Sequence, residues 1–242
     1  LTNILITGGA GFIGHHLLRR LSQDNDFKIT VIDNLSNSKK NTEISHLDKR
    51  ITFYKEDIRN KETIADIVKR ERIDTCIHLA AKISVLDSIA NPFETVDVNV
   101  NGTLSLLDAC AKNDVKSFIF ASSAAVYGNA RIMPIAEDHV LEPLSPYGAS
   151  KVSGEALVTS YKNSGKIKNG ISLRFFNIYG EGQSPQYAGV ITRFAERLSR
   201  GLPAIIFGTG EQTRDFVSIN DVVNAIMQAA QADDGISGIF NI

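Results

Sequence analysis

Tyr147 and Lys151 stand four residues apart, just behind Ser145-Pro146. A proline there predicts a first helical position, so both side chains share one face of a helix. A free tyrosine has a pKa of about 10 and is a poor base at neutral pH. A nearby ammonium favours the phenolate and lowers that value. Upstream, Ser117 to Ser122 reads as a strand apolar enough to be buried on both faces, and Ser123 follows with a hydroxyl able to hold a substrate oxygen. Phenol, ammonium and hydroxyl together suit removal of a hydroxyl proton while hydride leaves the same carbon. Alone, the tyrosine–lysine spacing carries little, because both residues commonly decorate helix surfaces.

A hydride needs an acceptor, and the opening stretch supplies a place for one. Ile4-Leu5-Ile6-Thr7 runs into Gly8-Gly9-Ala10-Gly11-Phe12-Ile13-Gly14, and Leu17, Leu18 and Leu21 follow at helical spacing. This reads as strand, tight turn and helix. Gly9, Gly11 and Gly14 satisfy G-x-G-x-x-G, and Gly8, Gly11 and Gly14 satisfy G-x-x-G-x-x-G. Such turns bring backbone close to a pyrophosphate and aim a helix N-terminus at it. A second strand, Phe27 to Ile32, ends in Asp33, about 20 residues beyond the turn, where a ribose-binding acid belongs. A carboxylate there accepts from a 2′-hydroxyl and repels a 2′-phosphate, which favours NAD over NADP. An oxidised nicotinamide, like the lysine, favours the phenolate and lowers its pKa.

The elements between these two stretches alternate. Ile51 to Lys55 reads as a third strand, followed by Asp57-Ile58, a pair suited to an adenine amine and ring face or, equally, to ordinary loop capping. Lys61 to Arg72 is a charged helix. Thr75 to His78 is a fourth strand running into Leu79-Ala80-Ala81, a small-residue turn against which a cofactor can lie, and His78 reads as a hydrogen-bonded core residue. Pro92 opens a helical stretch to Asn113 that contains Asn99 and Asn101. Asparagine is disfavoured inside helices, which predicts that one of them faces the cofactor. The polar stretch Asn34 to Asn41 suits a loop beside a ribose. Strand–helix alternation predicts an α/β fold, a doubly wound parallel sheet of Rossmann type, with a ligand crevice at the strands' carboxyl ends.

The bulk properties exclude several classes. With 26 basic and 27 acidic residues in 242, net charge is −1, which gives no reason to expect nucleic acid or an anionic membrane. No apolar run is long enough to span a membrane. Cys76 and Cys110 match no metal or redox spacing, so no metal is expected. Reduced, buried cysteines and the absence of a signal peptide ahead of the first strand fit the cytoplasm. The chain starts without methionine and stops in what reads as a strand, Ile239 to Ile242, so it reads as a truncated piece of something longer.

Thr7-Gly-Gly-Ala-Gly-Phe-Ile-Gly14, His78-Leu-Ala-Ala81, Ser122-Ser-Ala-Ala-Val-Tyr-Gly128 and Tyr147-Gly-Ala-Ser-Lys151 together resemble the extended short-chain dehydrogenase/reductase family. The closest resemblance is to its nucleotide-sugar epimerases, of the UDP-glucose 4-epimerase type. It covers essentially the whole chain. The resemblance implies Tyr147 as base, Lys151 on the nicotinamide ribose and Ser123 on the reacting sugar oxygen. It assigns to the cofactor Gly8, Gly11, Phe12, Ile13, Gly14, Asp33, Asn34, Asp57, Ile58, Leu79, Ala80, Ala81 and Ser122, with Asn99 near the phosphates. Leu173 to Gly180 resembles the strand leading to the sugar nucleotide. Ser84, Ser123, Asn177, Tyr187, Val190 and Arg214 are implied on the substrate, Arg214 as a diphosphate clamp if it is not spent on a salt bridge with Asp215.

The resemblance divides the chain into a dinucleotide domain, residues 1–170, and a partial, smaller C-terminal substrate lobe, residues 171–242, interleaved with the sheet. Dehydratases of the family carry an acidic pair after the strand-end hydroxyl residue, and decarboxylases a glutamate in the second position. Here both are alanine, Ala124 and Ala125, which favours epimerisation at C4 of a UDP-sugar. A UDP-N-acetylhexosamine 4-epimerase, a nucleotide-sugar reductase or dehydrogenase, and a non-catalytic NAD-binding protein are the alternatives. The stretches Pro92–Asn113 and Pro146–Ser164 resemble helices that pair in a homodimer; the sequence alone suits equally their being covered by a further stretch of the same chain.

Overall fold

The computed structural model describes residues 1–37, 48–183, 189–233 and 235–242. Tyr187 and the far end of the polar stretch after Asp33, residues 38–41, lie outside the described residues.

Seven described strands form one parallel sheet in the order β3-β2-β1-β4-β5-β6-β9. They are β1 (Thr2–Thr7), β2 (Phe27–Ile32), β3 (Ile51–Tyr54), β4 (Thr75–His78), β5 (Ser117–Ser123), β6 (Asn169–Phe175) and β9 (Gly238–Asn241). Side chains on a strand alternate between faces, and here both faces are apolar. Ile4 and Ile6 of β1 join Leu17, Leu18 and Leu21 of α1 (Phe12–Leu21) and Val222, Val223 and Ile226 of α8 (Ile219–Ala230) on one side. Leu5 points the other way, with Ile64, Ile67 and Val68 of α2 (Lys61–Glu71) and Leu106 and Leu107 of α5 (Gly102–Lys112). A sheet covered by helices on both faces needs such near-continuous apolar strands. Strand order reverses between β1 and β4, and the crevice beyond their carboxyl ends is where a doubly wound sheet takes its ligand.

The stretch from Pro92 is helical as expected, but not one regular helix. α3 (Val85–Ala90) precedes α4 (Pro92–Val96), which Asn91 caps by accepting from the Glu94 N–H. A π turn over Asp97–Asn101 then separates α4 from α5. The extra residue in that turn rotates Asn99 inward, where the Thr103 hydroxyl donates to the Asn99 carbonyl at 2.6 Å. π turns interrupt helices where a side chain has to be re-aimed.

The stretch Leu173 to Gly180 is not one strand. β6 stops at Phe175, and β7 (Asn177–Tyr179) pairs in parallel with β8 (Phe216–Ser218) in a separate two-stranded sheet. That small sheet and α7 (Val190–Ser199) make the lesser C-terminal lobe.

Candidate active site

One cleft of about 1010 Å³ runs over the carboxyl ends of the strands, from the glycine turn to Ser123, Tyr147 and Lys151. At the turn, Gly8 has φ +73°, and a Cβ there would sit 2.7 Å from the Ala80 nitrogen. At Gly14 a Cβ would lie 2.5 Å from the Gly8 carbonyl oxygen. These two glycines are required by the protein's own packing. Gly11 differs: its φ of −77° suits any residue, and a Cβ would meet only the Gly8 oxygen, at 3.2 Å. Its missing side chain leaves room on the cleft side, at the N-cap of α1, where no side chain caps the helix. Gly9 packs against Val31 in the sheet and is absent from the cleft wall. The working pattern is therefore Gly8, Gly11 and Gly14.

Asp33 reaches back across 23 residues to accept the Ala10 N–H at 2.9 Å, while its other oxygen accepts from the Leu35 N–H at 2.8 Å. A carboxylate offers about four lone-pair sites, so each oxygen keeps one for a ribose hydroxyl. Asp57 is placed differently. It accepts from Arg59 N, Nε and Nη2 and from Asn34 Nδ2, each at 2.9 Å. The Arg59 fork holds its carboxyl far below the usual carboxylate range. The expectation that Asp57 bonds an adenine amine is met in position only, because Asn34 must first release it. Ile58 lies beside it on the cleft wall, and Gly102 of α5 lets it pack closely, since a Cβ there would lie 2.6 Å from Ile58 Cδ1.

The far wall is built by β5 and α6 (Pro146–Asn163). Ser145 caps α6, accepting from the Gly148 N–H at 3.1 Å, and Pro146 takes the first turn. Gly148 lets the helix sit on the turn after β5: a Cβ there would lie 2.6 Å from the Ala125 oxygen. Deeper along α6, Gly154 rests on the Phe120 ring. This close packing sets Tyr147 and Lys151 against the end of β5. Lys151 is 4% exposed and donates to the Ala121 carbonyl at 2.8 Å. Its Nζ lies 5.7 Å from the centre of the Tyr147 ring.

Burial moves both ionisations. It lowers the Lys151 pKa to about 8, against an upward pull from Glu155. It raises that of Tyr147, against a smaller downward pull from Ser123. Among the side chains alone, desolvation of the phenolate outweighs its neighbours; the expected lowering joins the ammonium to an oxidised nicotinamide and concerns the protein with its cofactor. Behind them His78 is 1% exposed, bonded to the Thr7 and Thr103 hydroxyls at 2.7 and 2.9 Å, and burial lowers its pKa to about 3. It is the hydrogen-bonded core residue expected.

The model of the NAD dependent epimerase/dehydratase family matches residues 4–242. The chain belongs to that family. It is 40% identical over 228 residues to a putative UDP-glucose 4-epimerase of Methanocaldococcus jannaschii, covering 93% of this chain and 72% of that protein. Among solved structures it resembles UDP-glucose 4-epimerase of Thermotoga maritima with UDP-glucose (TM-score 0.90, 38% identity). It also resembles a UDP-N-acetylglucosamine 4-epimerase of Methanobrevibacter ruminantium with UDP-N-acetylmuramic acid (TM-score 0.89, 36% identity). Each comparison covers all of this chain and 76% of the other.

In this member of the epimerase/dehydratase family, the cleft gathers most of the side chains read from sequence, including Phe12, Ile13, Leu79, Ala80, Ala81 and Asn177. Others lie elsewhere. Asn99 is 2% exposed and does not reach the cleft: it accepts from the Lys82 N–H and donates to the Lys82 carbonyl and the Ser150 hydroxyl. It holds the turn after β4 against α6 and does not face the cleft. Ser122 lies along the wall, but its hydroxyl donates to buried Glu155. Ser84 is absent from the wall, its hydroxyl capping α3 by accepting from the Asp87 N–H at 3.0 Å. Val190 begins α7 outside the cleft, 41% exposed. Arg214 is exposed and donates to the Thr213 carbonyl at 2.7 Å, neither in the cleft nor paired with Asp215.

Two basic cleft residues escaped the sequence reading. Arg59 clamps Asp57 and also pairs with Asp97 of the π turn. Lys82 lines the cleft and pairs with Glu94 at 2.8 Å. Its signal was its place directly after Ala81, in a turn already read as lying against the cofactor. For Arg59, nothing in the spacing distinguishes a carboxylate clamp from a solvated charge.

Proposed function

We propose that this chain is an NAD-dependent epimerase that inverts C4 of a UDP-hexose. One observation carries the reading: a single cleft joins a glycine turn with an open Gly11 to a Ser123–Tyr147–Lys151 wall whose next residues are alanines. The residues fit the dinucleotide, with Gly11 leaving space at a helix N-terminus, Asp33 keeping free lone pairs, and the Leu79–Ala81 turn presenting little side chain. Its chemistry, when bound, is the reversible uptake of one hydride. Residues 1–170 hold it in this reading, and residues 171–242 contribute to the sugar nucleotide's site.

Tyr147 takes the proton of the C4 hydroxyl as the C4–H bond gives up its hydride, leaving a 4-keto sugar. Ser123 holds the C4 oxygen in both forms. After the sugar turns over, hydride returns to the opposite face and Tyr147 gives the proton back. Lys151 stabilises the phenolate electrostatically and orients the ribose. Ala124 and Ala125 supply no acid to drive loss of water, so the keto sugar is carried through to the epimer. Asn177, at the cleft margin, bonds the diphosphate or the sugar.

Incubation with UDP-glucose, UDP-N-acetylglucosamine and UDP-xylose, with products identified by NMR, tests the reading. Appearance of the C4 epimer is expected for at least one hexose. Accumulation of a dehydrated 4-keto product, or cofactor binding without turnover of any of the three, would overturn it.

A homodimer is part of the same proposal, supported by Leu86, Ile89 and Phe93, which stand 78, 59 and 87% exposed on neighbouring α3 and α4. Light scattering coupled to gel filtration tests it. No helix among the described residues is long and apolar enough to cross a membrane. The free, buried thiols of Cys76 and Cys110 support a cytoplasmic location, and the near-zero net charge supports the absence of a nucleic-acid partner.

A further inference from the structure

The face of α6 that carries Tyr147 and Lys151 continues one turn further to Glu155, which is 2% exposed. Arg174 of β6, 1% exposed, grips it by two bonds, Nε to Oε1 at 2.8 Å and Nη2 to Oε2 at 2.7 Å. Three residues at the end of β5 meet these three positions of α6. The Ala121 carbonyl accepts from Lys151, the Ser122 hydroxyl donates to Glu155, and Ser123 lies against the Tyr147 phenol. Arg174 is itself fixed beyond Glu155, donating to the Tyr127 hydroxyl at 2.7 Å and the Glu137 carbonyl at 2.9 Å.

A buried ion pair is weak evidence for stability, because desolvation offsets its Coulomb gain. This one stands one helical turn from the working lysine. We propose that Glu155, clamped by Arg174, is a positioning residue that keeps a negative charge beside the Lys151 ammonium and fixes the Ser122–Ser123 end of β5 against α6. This rests on the epimerase reading only for its consequence in turnover.

The charged and titratable groups around Lys151 leave Glu155 as the anion that acts on it. Tyr147 on α6 and His78 on β4 are favoured neutral by burial, and Arg174 on β6 is engaged by Glu155. Glu94 of α4 pairs with Lys82, Asp97 of the π turn with Arg59, and Asp108 of α5 with Lys112. Asp87 of α3 is exposed. Burial sets the lysine near 8, and Glu155 is the influence that raises it. Without that charge Lys151 loses its proton at lower pH.

The test is an NMR titration of lysine labelled at Cε in the NAD-saturated protein, with the Lys151 signal assigned by its absence in Lys151→Met. In Glu155→Gln the midpoint is expected to fall by about one pH unit or more, and the alkaline limb of kcat to move down with it. Ser122→Ala keeps the charge and should leave the midpoint in place. Should Glu155→Gln not fold, Glu155→Gln/Arg174→Gln, which spares the Arg174 guanidinium being left without its carboxylate, is titrated instead. An unchanged midpoint in the variant that folds overturns the proposal, as does failure of both to fold, which would assign the pair to stability alone. The midpoint is read without turnover, so absence of activity on every UDP-sugar would sink the epimerase reading and leave this test intact.

Discussion

Lys151 donates to the Ala121 carbonyl, and its ammonium sits 5.7 Å from the centre of the Tyr147 ring. The lysine is thus tied to β5 and acts on the phenol through space. Both side chains are held by the packing of one helix on one strand, and their geometry does not depend on a bond between them. Tyr147→Phe keeps the ring and that packing while removing the proton-carrying oxygen. NAD binding should persist, and interconversion of UDP-galactose and UDP-glucose should fall by at least about 10²–10⁴-fold. Coupled-assay turnover beside calorimetric NAD affinity checks this, and full residual activity would refute the assigned base.

Gly11 and Gly14 should respond differently to alanine. At Gly14 the new methyl meets backbone at 2.5 Å and at Gly8 at 2.7 Å with φ +73°, so both variants should lose about 1–3 kcal/mol or more of stability. Gly11→Ala meets one oxygen at 3.2 Å and should lose less than about 1 kcal/mol while NAD affinity falls about tenfold or more. Urea denaturation without nucleotide, set against NAD calorimetry, separates the two. Equal loss of stability at Gly11 and Gly14 would remove the argument for space at the helix N-terminus.

Asp33 ties the glycine turn to the end of β2 and keeps lone pairs directed to the cleft. Asp33→Ala should weaken NAD by about tenfold or more, the loss of charge-assisted hydrogen bonds. Affinity for NADP should fall less or rise, because the repelling carboxylate is gone. Titration with both nucleotides gives the ratio, and an unchanged NAD/NADP preference would remove Asp33 from the ribose site.

His78 makes stability depend on pH. Its folded pKa of about 3 lies below the ordinary value of 6.5, so between them the unfolded chain binds a proton that the native histidine does not. Stability is therefore full above about 6.5 and declines as pH falls towards 3, by up to about 1.4 kcal/mol per unit from this group. His78→Gln should flatten that slope in urea titrations between pH 4 and 7. A slope identical to wild type would mean that other groups dominate it.

Near-continuous apolar strands, glycines before a helix and an acid after the second strand are local signals, and they determined the doubly wound sheet and the seat of the dinucleotide. Tyr147 and Lys151 were legible for the same reason: a spacing of four on a helix brings side chains together whatever surrounds them. Glu155 was not: it lies four residues beyond Lys151, but its burial and its partner on β6 give that residue its meaning, and neither can be read from one segment. Asn99 shows the limit from the other side. Its rarity inside a helix was visible, yet the π turn aims it at Lys82 and Ser150, contacts 17 and 51 residues away. Likewise, whether Asp57 has a free lone pair depends on where Asn34 and Arg59 fold. Local pattern fixes the elements and the face each presents; which polar groups are already satisfied is decided by residues distant in the chain, because a buried donor or acceptor takes its partner from whatever the packing brings within reach.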